Sequence, residues 1–174
     1  MSFSPGAWSL YLCTPIRDDL VEFVTACVTG GVGVVQLRDK DHNDRDLLEA
    51  AERLTACCRS LGVPFIVNER CDVALAVGAD GVHVGQDDLP VRRCRDLLGD
   101  SAIIGLSTHA TGELASALGE AVSYLSAGPV ESARDLVAAA GGPAELQIIQ
   151  GAGHWLRSDP RMVATLIGWL DRIR

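Results

Sequence analysis

Lysine is almost missing from this chain: fourteen of its fifteen basic residues are arginine, and the single lysine is Lys40. Positive charge is scarce as well. Twenty-three Asp and Glu residues give a formal net charge of -8, and that balance argues against a polyanion partner, because nucleic acid selects a basic face. Any anionic ligand must therefore be held locally. No apolar run reaches the roughly 18 residues of a membrane span. Residues 1–7 lack the charged and apolar regions of a signal peptide, so the expected location is the cytoplasm. The six cysteines (Cys13, Cys27, Cys57, Cys58, Cys71 and Cys94) include no Cys-x-x-Cys pair and fall within apolar or helical patterns. That spacing suits neither zinc nor a disulfide framework, and the thiols read as mostly buried and reduced.

What is present is a rhythm. In 174 residues, 48% of them hydrophobic, there is material for one sizeable core. Short β-branched runs alternate with longer helical patterns, the signature of repeated βα units and a parallel sheet. Strands are expected at 9–13, 33–37, 64–68, 81–84, 102–106 and 123–127, and helices at 18–29, 44–61, 71–77, 91–98 and 111–118. Several of these helices open on an Asp or Thr suited to capping, and Gly30, Gly62, Gly78 and Gly99 stand where helices stop. This pattern fits a closed β/α-barrel or an open doubly wound sheet, and periodicity does not choose between them. A full barrel takes eight strands and roughly 200 residues or more. Six units make an incomplete one.

Three polar clusters share the carboxyl ends of these strands, the face that carries active sites in parallel barrels. In VVQLRDK, alternation sets Gln36, Arg38 and Lys40 on one side. A guanidinium and an ammonium two residues apart can grip a pyrophosphate, and an amide can read a heterocycle edge, although a solvated charge run has the same appearance. PFIVNER ends in Asn68, Glu69 and Arg70, and GADGVHVGQDDLP sets His83 in a strand with Gln86, Asp87 and Asp88 after it. Carboxylates at successive strand ends can share a magnesium ion that bridges to phosphates. For Asp87 and Asp88 the competing role is to cap the helix that begins near Pro90. IIGLSTH brings Ser107 and His109 to the same rim.

Taken in order, QLRDK, GVPFIVNER, GADGVHVGQDD, GLSTH and YLSAGPV resemble thiamine-phosphate synthase over about residues 10–130. The resemblance implies a TIM-type β/α-barrel transferase that joins hydroxymethylpyrimidine pyrophosphate to thiazole phosphate, giving thiamine phosphate and pyrophosphate. It implies that Arg38 and Lys40 bind the pyrophosphate and that Gln36 and Asn68 contact the pyrimidine end. Glu69 and Asp88 would hold Mg2+, and Ser107 would help seat the leaving group, with Lys40 and Ser107 closest to the catalytic event. The chemistry implied is departure of pyrophosphate, leaving a stabilised pyrimidine cation for the thiazole nitrogen to attack. No protein nucleophile is required.

The chain departs from the family pattern twice. Glu69 stands where the family usually has aspartate, which moves the carboxylate oxygens by about one carbon–carbon bond. After Val130, Glu131-Ser132-Ala133-Arg134 replaces the threonine- and lysine-bearing loop and the last two βα units, and with them the expected thiazole-phosphate site. Residues 131–174 instead resemble the end of an α/β-hydrolase, with His154 in the place of its catalytic base. The chain has no Gly-x-Ser-x-Gly elbow to serve that histidine. Two segments are thus expected, 1–130 and 131–174, joined as a fusion, frameshift or gene remnant would join them. A non-catalytic remnant that binds pyrophosphate and magnesium, or only packs, is the alternative function. Six strands without a seventh and eighth leave open edges, so a strand at 145–149 is expected beside the sixth, with a covering helix at 161–173. Open edges also invite a homo-oligomer.

Overall fold

The structure is a computed structural model and describes residues 10–127. Six strands and five helices alternate: β1 (Tyr11–Thr14), α1 (Leu20–Thr29), β2 (Val34–Leu37), α2 (Asp44–Leu61), β3 (Phe65–Asn68), α3 (Cys71–Val77), β4 (Gly81–Val84), α4 (Val91–Leu98), β5 (Ile103–Thr108), α5 (Thr111–Ala117) and β6 (Tyr124–Ala127). All six strands are parallel, and each pairs with its successor in the chain, in the order β1-β2-β3-β4-β5-β6. A doubly wound sheet needs a point where strand order reverses. There is none among the described strands, so the sheet is singly wound and curls as part of a barrel. The expected strand at 145–149 and helix at 161–173 lie outside the described residues.

Strand alternation divides the side chains. Val35 and Leu37, Phe65 and Val67, Val82 and Val84, and Ile104 and Leu106 turn outward into one apolar core with the helices. The helix α2 shows why its sequence folds so: Leu47, Ala50, Ala51, Leu54 and Cys58 fall at three- and four-residue spacing and are buried. Its cap is Asn43, whose side chain accepts from the Arg45 and Asp46 N–H groups. The helix α1 starts at Leu20, two residues after the expected Asp18. Asp19 makes no side-chain cap bond, because Arg17 holds its carboxylate. The cysteines divide too: Cys58, Cys71 and Cys94 are buried, Cys27 and Cys57 are half-buried, and Cys13 is exposed, all six being free thiols. Cys13 differs because it lies on the inner face of β1.

At the amino-terminal end of the strands the stabilising device is Arg95 on α4. Its guanidinium donates to the carbonyls of Gly99, Asp100 and Ala102 before β5, and to that of Ala121 before β6. Planar geometry with several donors lets one side chain tie two loops together. Arg95→Ala should therefore lower unfolding free energy by about 2 kcal/mol in urea titration, while ligand binding at the opposite end of the sheet is unchanged.

Candidate active site

The residues on the inner face form a cleft of about 690 Å³ at the carboxyl ends of the strands. Gln36 of β2, Asn68 of β3 and Ser107 of β5 line it, together with Arg38 and Glu69 just past their strands. Lys40 and Asp88 stand beside it through bonded neighbours. Lys40 Nζ lies 3.0 Å from Glu69 Oε1, and Asp88 Oδ2 accepts from the N–H of Gly85, a lining residue, at 2.6 Å. The helix α4 opens at Pro90 with no side-chain cap bond. Capping thus does not occupy Asp87 or Asp88. Gln86 bonds the Ser107 carbonyl through Nε2 at 2.6 Å, and His109 lines the cleft with its backbone N–H on Glu113.

Two hydrogen-bonded chains cross the floor. In the first, the Tyr11 and Tyr124 hydroxyls meet at 2.6 Å, Tyr124 continues to His83 Nδ1 at 2.8 Å, and His83 Nε2 reaches the Ser107 hydroxyl at 2.8 Å. Register explains the stack: His83 pairs with Gly105 and Gly105 with Tyr124. A Cβ at Gly105 would overlap both the Tyr124 ring and the His83 imidazole, so glycine alone leaves room for them. Burial lowers the His83 pKa, and the Arg38 charge adds to that, against opposing pulls from Asp88 and Glu69. His83 is therefore neutral at neutral pH, with one donor and one acceptor nitrogen. Tyr124 and Ser107 must play opposite roles toward it. Burial raises the Tyr11 pKa, with the Tyr124 contact adding to it, and burial likewise raises that of Tyr124, so both phenols stay protonated. The second chain runs from Cys13 through Gln36 to Asn68.

The carboxylate of Glu69 is fixed by an unusual backbone. Its φ is 65°, the one positive value among non-glycine residues in the described chain, a conformation that costs about 1 kcal/mol or more and so depends on its surroundings. Its N–H donates to the His83 carbonyl at 2.7 Å. Partial burial disfavours its ionised form, but bonds from Lys40 and Asn68 and the Arg38 charge outweigh that, and the carboxyl is held below its ordinary range. Asp39, between the two cations of QLRDK, has its side chain only 3% exposed. It accepts from the N–H groups of Ile16, Asp41 and His42 and meets His42 Nδ1 at 2.9 Å. It ties the loop that carries Arg38 and Lys40 to the loop after β1.

No group of three or more His, Cys, Asp or Glu side chains stands as a metal cage among the described residues. The donors at the rim, Glu69 and Asp88, are hard oxygens. That pair suits magnesium, which is bound through one or two carboxylates with water and substrate phosphates completing its shell. Sequence reading gave no roles to Tyr11, Tyr124, Cys13, His83 and Asp39. One signal was available: the chain has only two tyrosines, and both fall at inward positions of expected strands.

A model of the thiamine monophosphate synthase family matches residues 10–153, past Val130 and beyond the described residues. The thiamine-phosphate synthase of Laribacter hongkongensis is 51% identical over 113 residues, 65% of this chain and 53% of that protein. That of Shouchella clausii is 48% identical, over 64% of this chain and 54% of the relative. That of Synechococcus sp. is 45% identical, over 71% and 35%. The chain thus spans about a third to a half of the length of the curated relatives it matches. A solved structure, thiamine phosphate pyrophosphorylase from Pyrococcus furiosus, superposes with a TM-score of 0.67 at 28% identity, covering 92% of this chain and 83% of that one.

The Asp39 carboxyl is held at about 2 because, although burial works against its ionised form, the bonds from His42, Ile16 and Asp41 overcome it. A folded pKa below the ordinary value of about 3.9 stabilises fully above that value, and the contribution disappears as pH falls through the folded pKa. Asp39→Ala should lose about 2 kcal/mol at pH 7. Urea titrations at a series of pH values should show the gap to the parent protein closing between about pH 4 and pH 2.

Proposed function

The chain belongs to the thiamine monophosphate synthase family, and on that premise we propose that its cleft binds hydroxymethylpyrimidine pyrophosphate and condenses it with thiazole phosphate. The observation that carries this reading is the meeting of Gln36, Asn68, Arg38 and Ser107 around one cleft, with Lys40 on its rim. Gln36 and Asn68, 3% and 8% exposed, are the groups that read the heterocycle. Arg38 and Lys40 grip the pyrophosphate from two sides, and the Ser107 hydroxyl, oriented by His83, gives the departing oxygens a further donor. Magnesium, held by Glu69 and Asp88, would supply the charge that neutralises the leaving pyrophosphate. Lys40, paired with Glu69 at 3.0 Å, sits where it can pass from carboxylate to phosphate. Positioning and charge stabilisation are the whole of the protein's contribution, since no covalent intermediate is needed.

No helix among the described residues is long and apolar enough to cross a membrane, in keeping with a cytoplasmic enzyme acting on small molecules. Among the described strands β1 pairs with β2 alone, and an open edge there would support a homo-oligomer. Residues 131–174 form a second segment in this proposal, and the hydrolase-like reading of that segment, His154 included, rests on sequence resemblance alone.

One competing reading is a protein that binds pyrophosphate and magnesium without turnover. Calorimetric titration with the pyrimidine pyrophosphate and magnesium, beside a turnover assay with thiazole phosphate, separates the two. The proposal expects binding and product. Lys40→Met should weaken binding about tenfold or more with the urea midpoint nearly unchanged, because an exposed ion pair contributes little to stability. A large stability loss with unaltered binding would show that Lys40 is structural.

A further inference from the structure

Side chains on three neighbouring strands are bonded end to end: Cys13 of β1, Gln36 of β2 and Asn68 of β3. Asn68 turns its Oδ1 toward β2. Gln36 answers with its own NH2, Nε2 donating to Asn68 Oδ1 at 3.3 Å. The Gln36 oxygen is thereby left facing β1, where Cys13 Sγ stands 2.8 Å away and donates its thiol proton. Gln36 is 3% exposed, so an apolar residue at position 13 would leave a buried amide oxygen without its donor.

We propose that Cys13 is a positioning residue for the heterocycle subsite: its S–H anchors Gln36 Oε1 and so sets the orientation of both the Gln36 and the Asn68 amides. The proposal rests on the pyrimidine pyrophosphate reading above and adds a specificity to it. With its oxygen committed to Cys13 and one N–H to Asn68, Gln36 has its second N–H to offer. The matching ring must present an acceptor nitrogen at that edge and not an N–H. Although Cys13 is open to the cleft, the protein atoms packed around it desolvate the thiol and raise its pKa, with the Arg38 charge pulling the other way. The proton that anchors Gln36 thus stays on sulfur across the neutral range.

Cys13→Ala removes the donor and Cys13→Ser keeps one, and both are compared in the full chain. Two readouts are taken: the side-chain NH2 resonances of Gln36 and Asn68 in ligand-free protein by 15N-edited NMR, and calorimetric binding of the pyrimidine pyrophosphate with magnesium. Cys13→Ala should shift both amide pairs and weaken binding about tenfold, with KM raised and kcat little changed where turnover is measurable. Cys13→Ser should keep the amide pattern and bind within about twofold of the parent. Unmoved amide resonances in Cys13→Ala, or a Cys13→Ser variant as impaired as Cys13→Ala, would overturn the role. A parent protein that binds no pyrimidine pyrophosphate would remove the functional reading instead, and the amide resonances alone would then decide whether Cys13 sets the relay.

Discussion

The bond between the Tyr11 and Tyr124 hydroxyls spans the concave face from the first strand to the sixth. A singly wound parallel sheet curls only as far as its inner side chains allow, and strand twist alone leaves a range of curvatures open. Two long aromatic side chains meeting tip to tip, with ring centroids 5.7 Å apart, choose one. They also set where the floor of the cleft lies, because Tyr124 stacks on His83 at a centroid distance of 5.4 Å. That stack exists because Gly105 has no side chain beneath it. A missing methyl group in β5 thus permits the contact that holds β1 and β6 in relation, and Ser107 is oriented as a result.

Above that floor the problem is electrostatic. A chain of net charge -8 repels anions at a distance and can retain one only where donors are gathered at close range. Four arginines elsewhere among the described residues are engaged in structure. Arg70 bonds Asp44 and Asp72, Arg17 bonds Asp19, Arg93 bonds Asp96, and Arg95 binds loop carbonyls. Arg38 lines the cleft, and Lys40 stands next to it with Glu69 as partner. The loop holding both is fastened by the buried Asp39 carboxylate. The two cations are therefore held in place by an anion between them in sequence that faces the other way in space.

The elements were readable because each depends on neighbours within one turn or one pleat. The β-branched runs and the three- and four-residue apolar spacing of α2 gave strand and helix positions close to those observed. Differences arose where a local rule met a non-local partner. Asp19 was available as a cap until Arg17 took its carboxylate. Asp39 read as one more charge in QLRDK, and nothing in the run itself says that its oxygens turn toward Ile16 on another loop. The tyrosine pair joins residues 113 positions apart, and no periodicity reports such a meeting. Gln36 and Asn68 were recognisable as inward polar residues, but the direction of their amides depends on each other and on Cys13, which belong to three different strands.

The tyrosine bridge has an optical consequence. Both tyrosines of the chain lie in the cleft, while its three tryptophans, Trp8, Trp155 and Trp169, fall outside residues 10–127. Phenol ring vibrations, which are distinct from those of indole, therefore originate entirely from the cleft floor. The molecule carries a built-in label at the place where a ligand would sit, and its two chromophores are hydrogen-bonded to each other, so disturbing either one changes the signal of both.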